Sequence, residues 1–293
     1  MIVLEIIEHA GQGNQMFMYS SAYALARKTN QKMIILFSTD YKRVSDRPFI
    51  LDKFNLDYNY IKKIIRIDKY KNIFIAKIMR KLYKFKYKKL LKNNFVYYEK
   101  EGNARIYNEL PTNYQNYYLH GYFESYKYFN EYKQDIINQF KINFELNDKT
   151  AKFLKEISEN NSVAMHIRRG DFLLEGRSVS TDYYKTAMKK LSNNMTKFYL
   201  ATIDKKVIDE FKNNDNIELI DTDDVNKDLC DWLALSKCKQ HILSNSTYSW
   251  WAAYISNSNK IYLPTFEEYK FMQTVASKQE YEDFYFKENN IWR

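Results

Sequence analysis

The amino-acid sequence predicts an α/β fold of two domains, and three observations support this prediction. The chain opens with an apolar strand, Val3–Ile7, a glycine turn, a helix at Asn14–Thr29 and a second strand at Lys32–Phe37, which is the start of a βαβ unit. The C-terminal half repeats the alternation of strands and helices. The polar stretch Lys155–Asn161 separates the two halves. We therefore expect one domain at 1–158 and another at 159–293, facing each other across a cleft.

The predicted strands of the C-terminal half are short and rich in β-branched residues, which is typical of strands covered on both faces. They are Ser162–Ile167, Phe198–Ile203, Ile217–Ile220, His241–Leu243 and Ile261–Leu263. The predicted helices are Asp182–Leu191, Lys205–Lys212, Asp228–Lys239 and Thr247–Ile255.

The 293 residues contain no run of about 20 apolar residues, the length that a membrane-spanning helix needs. The N-terminus lacks the basic flank and cleavage site of a signal peptide. Cys230 and Cys238 lie in one predicted helix, too far apart along it to form a disulfide. A cytoplasmic location is the simplest expectation.

The net charge of +10 is concentrated in one segment, residues 62–92, which holds thirteen Lys and Arg residues and a single acid. Because the rest of the chain is close to neutral, we expect no nucleic-acid partner. Within the segment, Phe74, Ile78, Leu82 and Phe85 recur at helical spacing among basic residues. Either this basic amphipathic helix rests on an anionic membrane, or its apolar stripe packs on the N-terminal domain and its lysines are solvated.

Two motifs follow strands of the N-terminal half. The first, Ala10–Phe17, places two glycines between a strand and a helix, where the backbone can approach an anionic ligand. It lacks the third glycine of a dinucleotide-binding motif, and a structural turn with an Asn cap remains the alternative. The second, His120–Ser125, offers aromatic and polar groups suited to a sugar.

Two further motifs follow strands of the C-terminal half. His166–Asp171 contains an Arg pair at a strand end, a position where open α/β sheets bind ligands. Since neighbouring side chains on a strand alternate in direction, we expect only one of these arginines to meet a pyrophosphate. The alternative is a structural Arg–Asp pair. Ser244–Trp251 offers four hydroxyls at a helix N-terminus, and its two tryptophans are expected to pack in the core.

No group of His, Asp and Glu residues in the sequence has metal-ligand spacing. We therefore expect arginines and helix N-termini to neutralise a pyrophosphate without a metal ion.

Taken together, these motifs resemble those of glycosyltransferase family 11, the inverting α-1,2-fucosyltransferases. Ala10–Phe17 is similar to the family's Gly-Gly-Leu-Gly-Asn-Gln-Met-Phe signature, and His166–Asp171 matches its His-x-Arg-Arg-Gly-Asp motif. Further similarities, in the family's order along the chain, are Gly121–Phe129, Ser180–Lys185, Leu235–Cys238 and Ser244–Trp251. The resemblance implies a GT-B-type fold of two Rossmann-like domains, GDP-L-fucose as donor, a glycan acceptor that is an oligosaccharide or a lipid-linked saccharide, and no cofactor.

The resemblance also implies roles for individual residues. Arg168 and Arg169 would hold the donor β-phosphate and stabilise the departing GDP, and Asn14 would lie in the loop that faces the reacting sugar. The implied donor-binding residues are Gly13, His166, Asp231, Ser246, Thr247 and Ser249. For the acceptor or a general base the candidates are Glu124, Asp171 and Glu175, and the base stays unassigned. Two alternatives remain open: a related transferase that uses another GDP-sugar, such as GDP-mannose, and a protein that only binds polyanions.

Overall fold

The computed structural model divides the chain into two compact units, residues 1–143 and residues 144–293. The structure describes residues 1–6, 9–37, 47–70, 72–89, 95–99, 104–169, 178–211, 213–256 and 260–266, together with residues 172, 176, 258, 268, 277, 278, 291 and 292. The division falls before the helix Asp148–Glu159, so the polar stretch Lys155–Asn161 lies inside the second unit. That stretch covers the end of this helix and the start of the next strand, where its polar side chains meet solvent.

The first unit contains a five-stranded parallel sheet with the strand order β3-β2-β1-β5-β4. The strands are β1 Ile2–Ile6, β2 Met33–Phe37, β3 Ile61–Arg66, β4 Phe95–Tyr98 and β5 Tyr117–His120. The helices are α1 Gln12–Thr29, α2 Ile73–Lys89 and α3 Lys133–Gln139, with short 3₁₀ turns at Leu51–Lys53, Ile67–Lys69, Tyr126–Tyr128 and Asn130–Tyr132. The predicted βαβ opening is therefore confirmed.

Central strands of this sheet are buried along their whole length, as apolar runs in a parallel sheet should be. Nearly all residues in the first four turns of helix α1 are buried. It ends at Asn30, which adopts a left-handed conformation with φ 48°. There the backbone N–H of Asn30 bonds the carbonyls of Ala26 and Arg27 and terminates the helix.

Helix α2 carries the apolar stripe that the sequence predicts, but the stripe faces solvent. Phe74, Ile78, Leu82 and Phe85 are 71%, 42%, 55% and 63% exposed. The face that packs on the sheet instead presents Ala76, Tyr83 and Tyr87 to a cluster around Val3 and Tyr118. The expected packing of the stripe on the N-terminal domain is therefore wrong.

A buried ion pair attaches α2 to the sheet. Glu5, on β1, is only 2% exposed and pairs with Lys84 of α2. The Tyr118 hydroxyl donates to the same carboxylate, and Nδ1 of His120 lies 3.2 Å from it. Burial opposes ionisation of Glu5, but the hydrogen bonds from His120, Lys84 and Tyr118 outweigh this effect and lower its pKa to about 2.

The second unit contains a six-stranded parallel sheet with the order β11-β10-β9-β6-β7-β8. Its strands are β6 Asn161–His166, β7 Thr196–Ala201, β8 Ile217–Leu219, β9 Gln240–Ile242, β10 Ile261–Tyr262 and β11 Ile291–Trp292. Its helices are α4 Asp148–Glu159, α5 Thr181–Leu191, α6 Lys205–Phe211, α7 Lys227–Lys237 and α8 Thr247–Ser256. All nine predicted elements of the C-terminal half are confirmed within two residues at each end.

Local signals in the sequence account for several of these helix boundaries. Asn147 caps α4 by accepting from the backbone N–H of Thr150, and Ser180 caps α5 by accepting from that of Tyr183. Trp250 and Trp251 of α8 are fully buried, which confirms their predicted packing in the core. Cys230 and Cys238 are buried free thiols, as expected. Among the described residues, no helix combines the length and the apolar character that crossing a bilayer requires.

Candidate functional site

Each sheet has one point where the strand order reverses, and all four sequence motifs lie at these two points. In the second unit the chain runs outward from β6 to β7 and β8, then returns to place β9 on the other side of β6. The loops after β6 and β9 therefore diverge and leave a crevice at the carboxyl edge of the sheet, where open α/β sheets bind ligands. These loops begin at Ile167, within the motif His166–Asp171, and at Leu243, directly before the motif Ser244–Trp251.

A hydrogen-bonded chain joins the two motifs of the second unit. His166 ends β6, and its Nδ1 lies 3.3 Å from the Ser244 hydroxyl, which in turn lies 3.3 Å from the Ser249 hydroxyl of α8. The imidazole ring also contacts Tyr248 at 5.1 Å between centroids. Burial, together with the charge of Arg168, lowers the pKa of His166 to about 3. His166 is therefore a neutral hydrogen-bonding group at physiological pH.

The start of α8 distributes its hydroxyls unequally. Ser246 caps the helix, since its hydroxyl accepts from the backbone N–H of Tyr248 at 3.3 Å. Ser249 is 2% exposed, and its hydroxyl donates to the Ser246 carbonyl at 3.1 Å. Ser246 and Thr247, the first helical residue, are half-buried. Ser246 thus caps the helix that Thr247 begins, whereas the buried Ser249 hydroxyl bonds back to the loop.

The two arginines of the third motif diverge, as the alternation along the strand predicts. Arg169 donates to the Thr181 hydroxyl at the start of α5, and its guanidinium lies 3.6 Å from Glu210 of α6. The Arg168 guanidinium lies over the Phe172 ring at 5.0 Å. The charge of Arg168 acts on His166 at the end of β6, whereas Arg169 ties the loop to two helices.

Asp231 has partners within its own unit. Its Oδ1 accepts from the backbone N–H and the hydroxyl of Thr222, at 2.9 and 2.6 Å, and its Oδ2 accepts from Lys227 at 2.9 Å. It lies in the second turn of α7, and the acid of the first turn is Asp228. A nucleobase that contacts Asp231 would therefore meet a carboxylate that Thr222 already orients. The candidates Asp171 and Glu175 lie outside the described residues.

In the first unit the order reverses between β1 and β5, and the two N-terminal motifs follow these strands. Gly11 is the N-cap of α1 and no side chain caps the helix, so the suggested Asn cap is wrong: Asn14 is the third helical residue, and Gly13 is buried in the first turn. Gln15 clasps the loop by donating to the carbonyls of Ala10 and Pro48 at 2.9 and 2.8 Å.

Two carboxylates contact the loop after β5, one of them within it. Glu124 is 8% exposed and accepts from Nε of Arg105 at 3.2 Å. Glu99, which directly follows β4, accepts from the backbone N–H groups of Tyr122 and Phe123 at 2.6 and 3.1 Å. Sequence reasoning missed Glu99, because its place in this loop depends on the pairing of β4 with β5. Its only local signal is an acid at the end of an alternating aromatic strand.

Three or more His, Cys, Asp or Glu side chains arranged to hold a metal ion do not occur among the residues described by the structure. The loops after β6 and β9 carry arginines, a helix N-terminus and hydroxyls, and groups of these kinds can bind phosphate.

Comparison with known proteins identifies the chain's family. A family model described as glycosyl transferase family 11 matches residues 3–289. The chain belongs to this family. It is an α/β protein of the GT-B type and a glycosyltransferase, as the sequence motifs predicted.

Among family 11 relatives, the chain is similar to the O-antigen biosynthesis glycosyltransferase WbnK of Escherichia coli, at 28% identity over 84% of this chain and 88% of the relative. It is 29% identical to an alpha-1,2-colitosyltransferase of Escherichia coli over 84% of this chain and 85% of that protein. Galactoside alpha-(1,2)-fucosyltransferase 2 of Pongo pygmaeus is 23% identical over 55% of this chain and 50% of its own length.

Among solved structures, the fucosyltransferase NodZ from Bradyrhizobium has a TM-score of 0.53 and 14% sequence identity, and the match covers 89% of this chain and 93% of that one. A second structure, NodZ alpha-1,6-fucosyltransferase soaked with GDP-fucose, has a TM-score of 0.51 at 15% identity over the same shares. At this level of identity the similarity supports the fold.

Proposed function

We propose that the chain transfers L-fucose from GDP-L-fucose to the 2-hydroxyl of a galactoside in a glycan, with inversion at the anomeric carbon and without a metal ion. Family membership supports sugar transfer from an activated donor. The names of two relatives contain an alpha-1,2 linkage. The observation that supports the proposal is the strand reversal of the second unit, where the motif with His166 and Arg168 follows β6, the motif that starts α8 follows the neighbouring β9, and His166 contacts Ser244.

In this proposal the second unit binds the nucleotide. The N-terminus of α8 and the Arg168 guanidinium supply positive potential to the pyrophosphate. The buried His166–Ser244–Ser249 chain holds the two loops that carry these groups at a fixed separation. Such a preorganised site stabilises the charge that builds on the β-phosphate as GDP leaves, and it needs little reorganisation during the reaction.

The first unit supplies the acceptor side of the reaction. The first turn of α1, with Gly13 and Asn14, and the loop with Glu124 follow the neighbouring strands β1 and β5, at the carboxyl edge of the sheet. An acceptor hydroxyl held there attacks the anomeric carbon in line with the departing phosphate. Proton removal from that hydroxyl comes late, when the oxocarbenium-like sugar has formed. A carboxylate that is ionised at neutral pH is therefore a sufficient base.

A donor with colitose, an L-fucose analogue that lacks the 3-hydroxyl, is the second candidate because a colitosyltransferase is among the relatives. A site that hydrogen-bonds the 3-hydroxyl discriminates strongly against the sugar that lacks it, whereas an apolar site discriminates weakly. The donor is therefore decided by comparing kcat/KM for the two GDP-sugars.

The purified protein should be incubated with GDP-L-fucose, GDP-colitose and GDP-mannose in turn, each with a panel of galactoside acceptors. We expect transfer from GDP-L-fucose, with the new linkage assigned as α-1,2 by NMR. Transfer from GDP-mannose alone would overturn the donor, and another linkage would overturn the acceptor position. Salt-sensitive binding to polyanions without transfer from any donor would favour the polyanion-binding alternative.

The proposal extends to a peripheral contact between α2 and an anionic membrane that presents a lipid-linked acceptor. The exposed stripe of α2 lies beside the exposed lysines Lys77, Lys81 and Lys86. Val96 and Tyr98, on the edge strand β4 of the same unit, are each 45% exposed. An apolar face flanked by lysines has the charge and polarity that insertion at an anionic lipid interface requires.

The contact can be tested by co-sedimentation with phosphatidylglycerol vesicles at low ionic strength. The test variant carries Lys77→Glu, Lys81→Glu and Lys86→Glu. Each basic residue near such a surface contributes about 1 kcal/mol, so the triple change should weaken binding by about a hundredfold or more. Lys84 is left unchanged, because it pairs with the buried Glu5.

A matched control with the same change in net charge carries Lys152→Glu, Lys185→Glu and Lys189→Glu, all at exposed positions of the second unit. This control should bind like the wild type. A second variant, Phe74→Ser with Leu82→Ser, should also lose binding if the stripe inserts. Wild-type protein that stays in the supernatant, or equal loss in both triple variants, would contradict the proposal.

A further inference from the structure

The loop at residues 121–125 has an unusual backbone, and Glu99 holds it. Phe123 has φ 53°, in the left-handed region that a bulky residue rarely adopts. Its ring is fully buried against Tyr97 and Tyr128, at 5.2 and 5.4 Å between centroids. The Glu99 carboxylate accepts hydrogen bonds from two backbone N–H groups, that of Phe123 and that of the preceding residue Tyr122.

The fit between Glu99 and the loop depends on Gly121. A Cβ atom at Gly121 would lie 2.7 Å from the Cβ of Glu99 and 3.2 Å from the ring of Phe123. The Glu99 backbone N–H also donates to the His120 carbonyl at 2.9 Å. Glu99 is thus joined to the loop through its backbone, its carboxylate and its packing on Gly121.

The loop in turn sets the place of Glu124. Its backbone N–H donates to the Ala104 carbonyl at 2.7 Å, and its carboxylate is held by Arg105 at 3.2 Å. Residues 121–125 follow β5 at the point where the strand order reverses beside β1. A change in the backbone at Tyr122 and Phe123 would therefore move Glu124 relative to the crevice of the first unit.

We propose that Glu99 is a positioning residue, whose carboxylate holds loop 121–125 in its strained conformation and thereby orients Glu124 for the acceptor. This inference rests on the proposed function, in which the first unit carries the acceptor side of the reaction. It adds a residue that none of the sequence motifs contains.

The protonation state of Glu99 controls the strength of its hydrogen bonds to the loop. Burial raises the pKa of Glu99 to about 7, the nearby charge of Glu124 acts in the same direction, and the two backbone N–H groups and His120 oppose it. The other titratable groups around it are Tyr97, Tyr122, Tyr128 and Arg105. Protonation removes the negative charge and makes one of the two oxygens a hydroxyl, which is a weaker acceptor than a carboxylate oxygen. The loop is therefore held more tightly above about pH 7 than below it.

The first test measures amide hydrogen exchange at Tyr122 and Phe123 from about pH 6 to about pH 8.5, corrected for the intrinsic exchange rate. In the wild type, we expect protection to fall with a midpoint near the Glu99 pKa of about 7 as the pH is lowered. In Glu99→Gln, protection should be low at every pH, because the amide nitrogen faces an N–H donor. Equal protection in both proteins would overturn the proposal, whether or not the protein transfers fucose.

The second test measures steady-state kinetics. Glu99→Gln should raise the KM for the acceptor about tenfold, which corresponds to about 1.4 kcal/mol, and leave the KM for the GDP-sugar within about twofold. The acid limb of kcat/KM for the acceptor should disappear. Glu109→Gln, an exposed acid of the same unit, is the matched control and should behave like the wild type.

Gly121→Ala provides an independent route to the same change, since the added methyl group displaces Glu99. It should reproduce the acceptor defect, and the double variant with Glu99→Gln should be no worse than the more severe single variant. GDP affinity and melting temperature verify that each variant is folded. A wild type without transfer activity would refute the proposed function, whereas active wild type with unchanged Glu99→Gln kinetics would refute the role of Glu99.

Discussion

Arg168 and Arg169 are adjacent in sequence but should respond very differently to substitution by lysine. Lysine keeps the charge but loses the planar fork that binds two oxygens at once. In the proposed function Arg168, whose charge acts on His166, meets the donor phosphate. Arg169 is engaged by Thr181 and Glu210. On that proposal, substituting the two residues in turn separates a contact to the donor phosphate from a contact within the protein.

The expected losses of kcat for the two variants differ by about tenfold or more. Loss of one donor that stabilises a developing anion costs about 10²–10³ in turnover, so Arg168→Lys should lower kcat by this factor. The side chain of Arg169 is 15% exposed and that of its partner Glu210 is 39% exposed. A partly solvated pair of this kind contributes about 1 kcal/mol or less to stability. Arg169→Lys should thus lower the melting temperature by a few degrees and change kcat by only a few-fold.

The assay is the initial rate of GDP release with saturating acceptor, measured across GDP-L-fucose concentrations, with thermal unfolding measured on the same preparations. The double variant should show the kcat of Arg168→Lys and the melting temperature of Arg169→Lys. If Arg169→Lys lost turnover while Arg168→Lys kept it, the assignment of the two side chains would be reversed. If both kept wild-type kinetics, the phosphate-binding role would be wrong.

Three other predictions concern a metal ion, the guanine base of the donor and the stability of the protein at acid pH. Activity should survive excess EDTA, and complete loss that Mn²⁺ restores would refute metal-independent transfer. Asp231→Asn should raise the KM for GDP-L-fucose more than it lowers kcat, because guanine offers an N1–H and amino donor pair that a carboxylate accepts; an unchanged preference for GDP over ADP as inhibitor would leave Asp231 only its bonds to Thr222 and Lys227. Glu5 has a pKa of about 2 in the folded protein against 4.5 for the free group, so the unfolded chain binds the proton more tightly. The ionised carboxylate therefore stabilises the fold by about 3 kcal/mol above about pH 4.5. This contribution is lost as the pH falls toward 2. The difference in unfolding free energy between wild type and Glu5→Gln should shrink over that range, and a constant difference would show that the carboxylate charge is not responsible.

Short apolar strands made most of the fold predictable from the sequence. The elements missed in the first unit are those whose residues have mixed polarity. β3 reads Ile-Lys-Lys-Ile-Ile-Arg, and β4 alternates half-buried with exposed aromatic and aliphatic residues. Both lie at the edges of the sheet, where one side of the strand meets solvent and the apolar signal weakens.

Helical periodicity predicted which residues of α2 share a face but not which face is buried. The more apolar face, with Phe74 and Phe85, is exposed. The buried face contains Lys84, whose ammonium meets the carboxylate of Glu5 in the middle of the sheet. A buried acid on a central strand requires such a partner, and this long-range requirement is absent from any local pattern.

Candidate residues of the second unit were predictable because their motifs are contiguous in sequence. The positions of Ser246 and Ser249 relative to the helix, in contrast, depend on where α8 begins. Glu99 depends on the register between β4 and β5, in which Tyr98 pairs with His120. Sequence reasoning identifies groups that can act, whereas strand pairing decides which of them meet.

The neighbouring position of β6 and β9 also orders events during synthesis. In their register Val163 pairs with Gln240, so the ribosome must translate the whole intervening chain before the two strands can pair. Closing so large a loop is slow compared with pairing β6 with β7, which follows it directly. The strand reversal beside His166 is therefore completed late. If the second unit binds GDP there, as proposed, GDP cannot stabilise the nascent unit until β9 has emerged, and chains stalled before residue 240 should be unable to bind GDP.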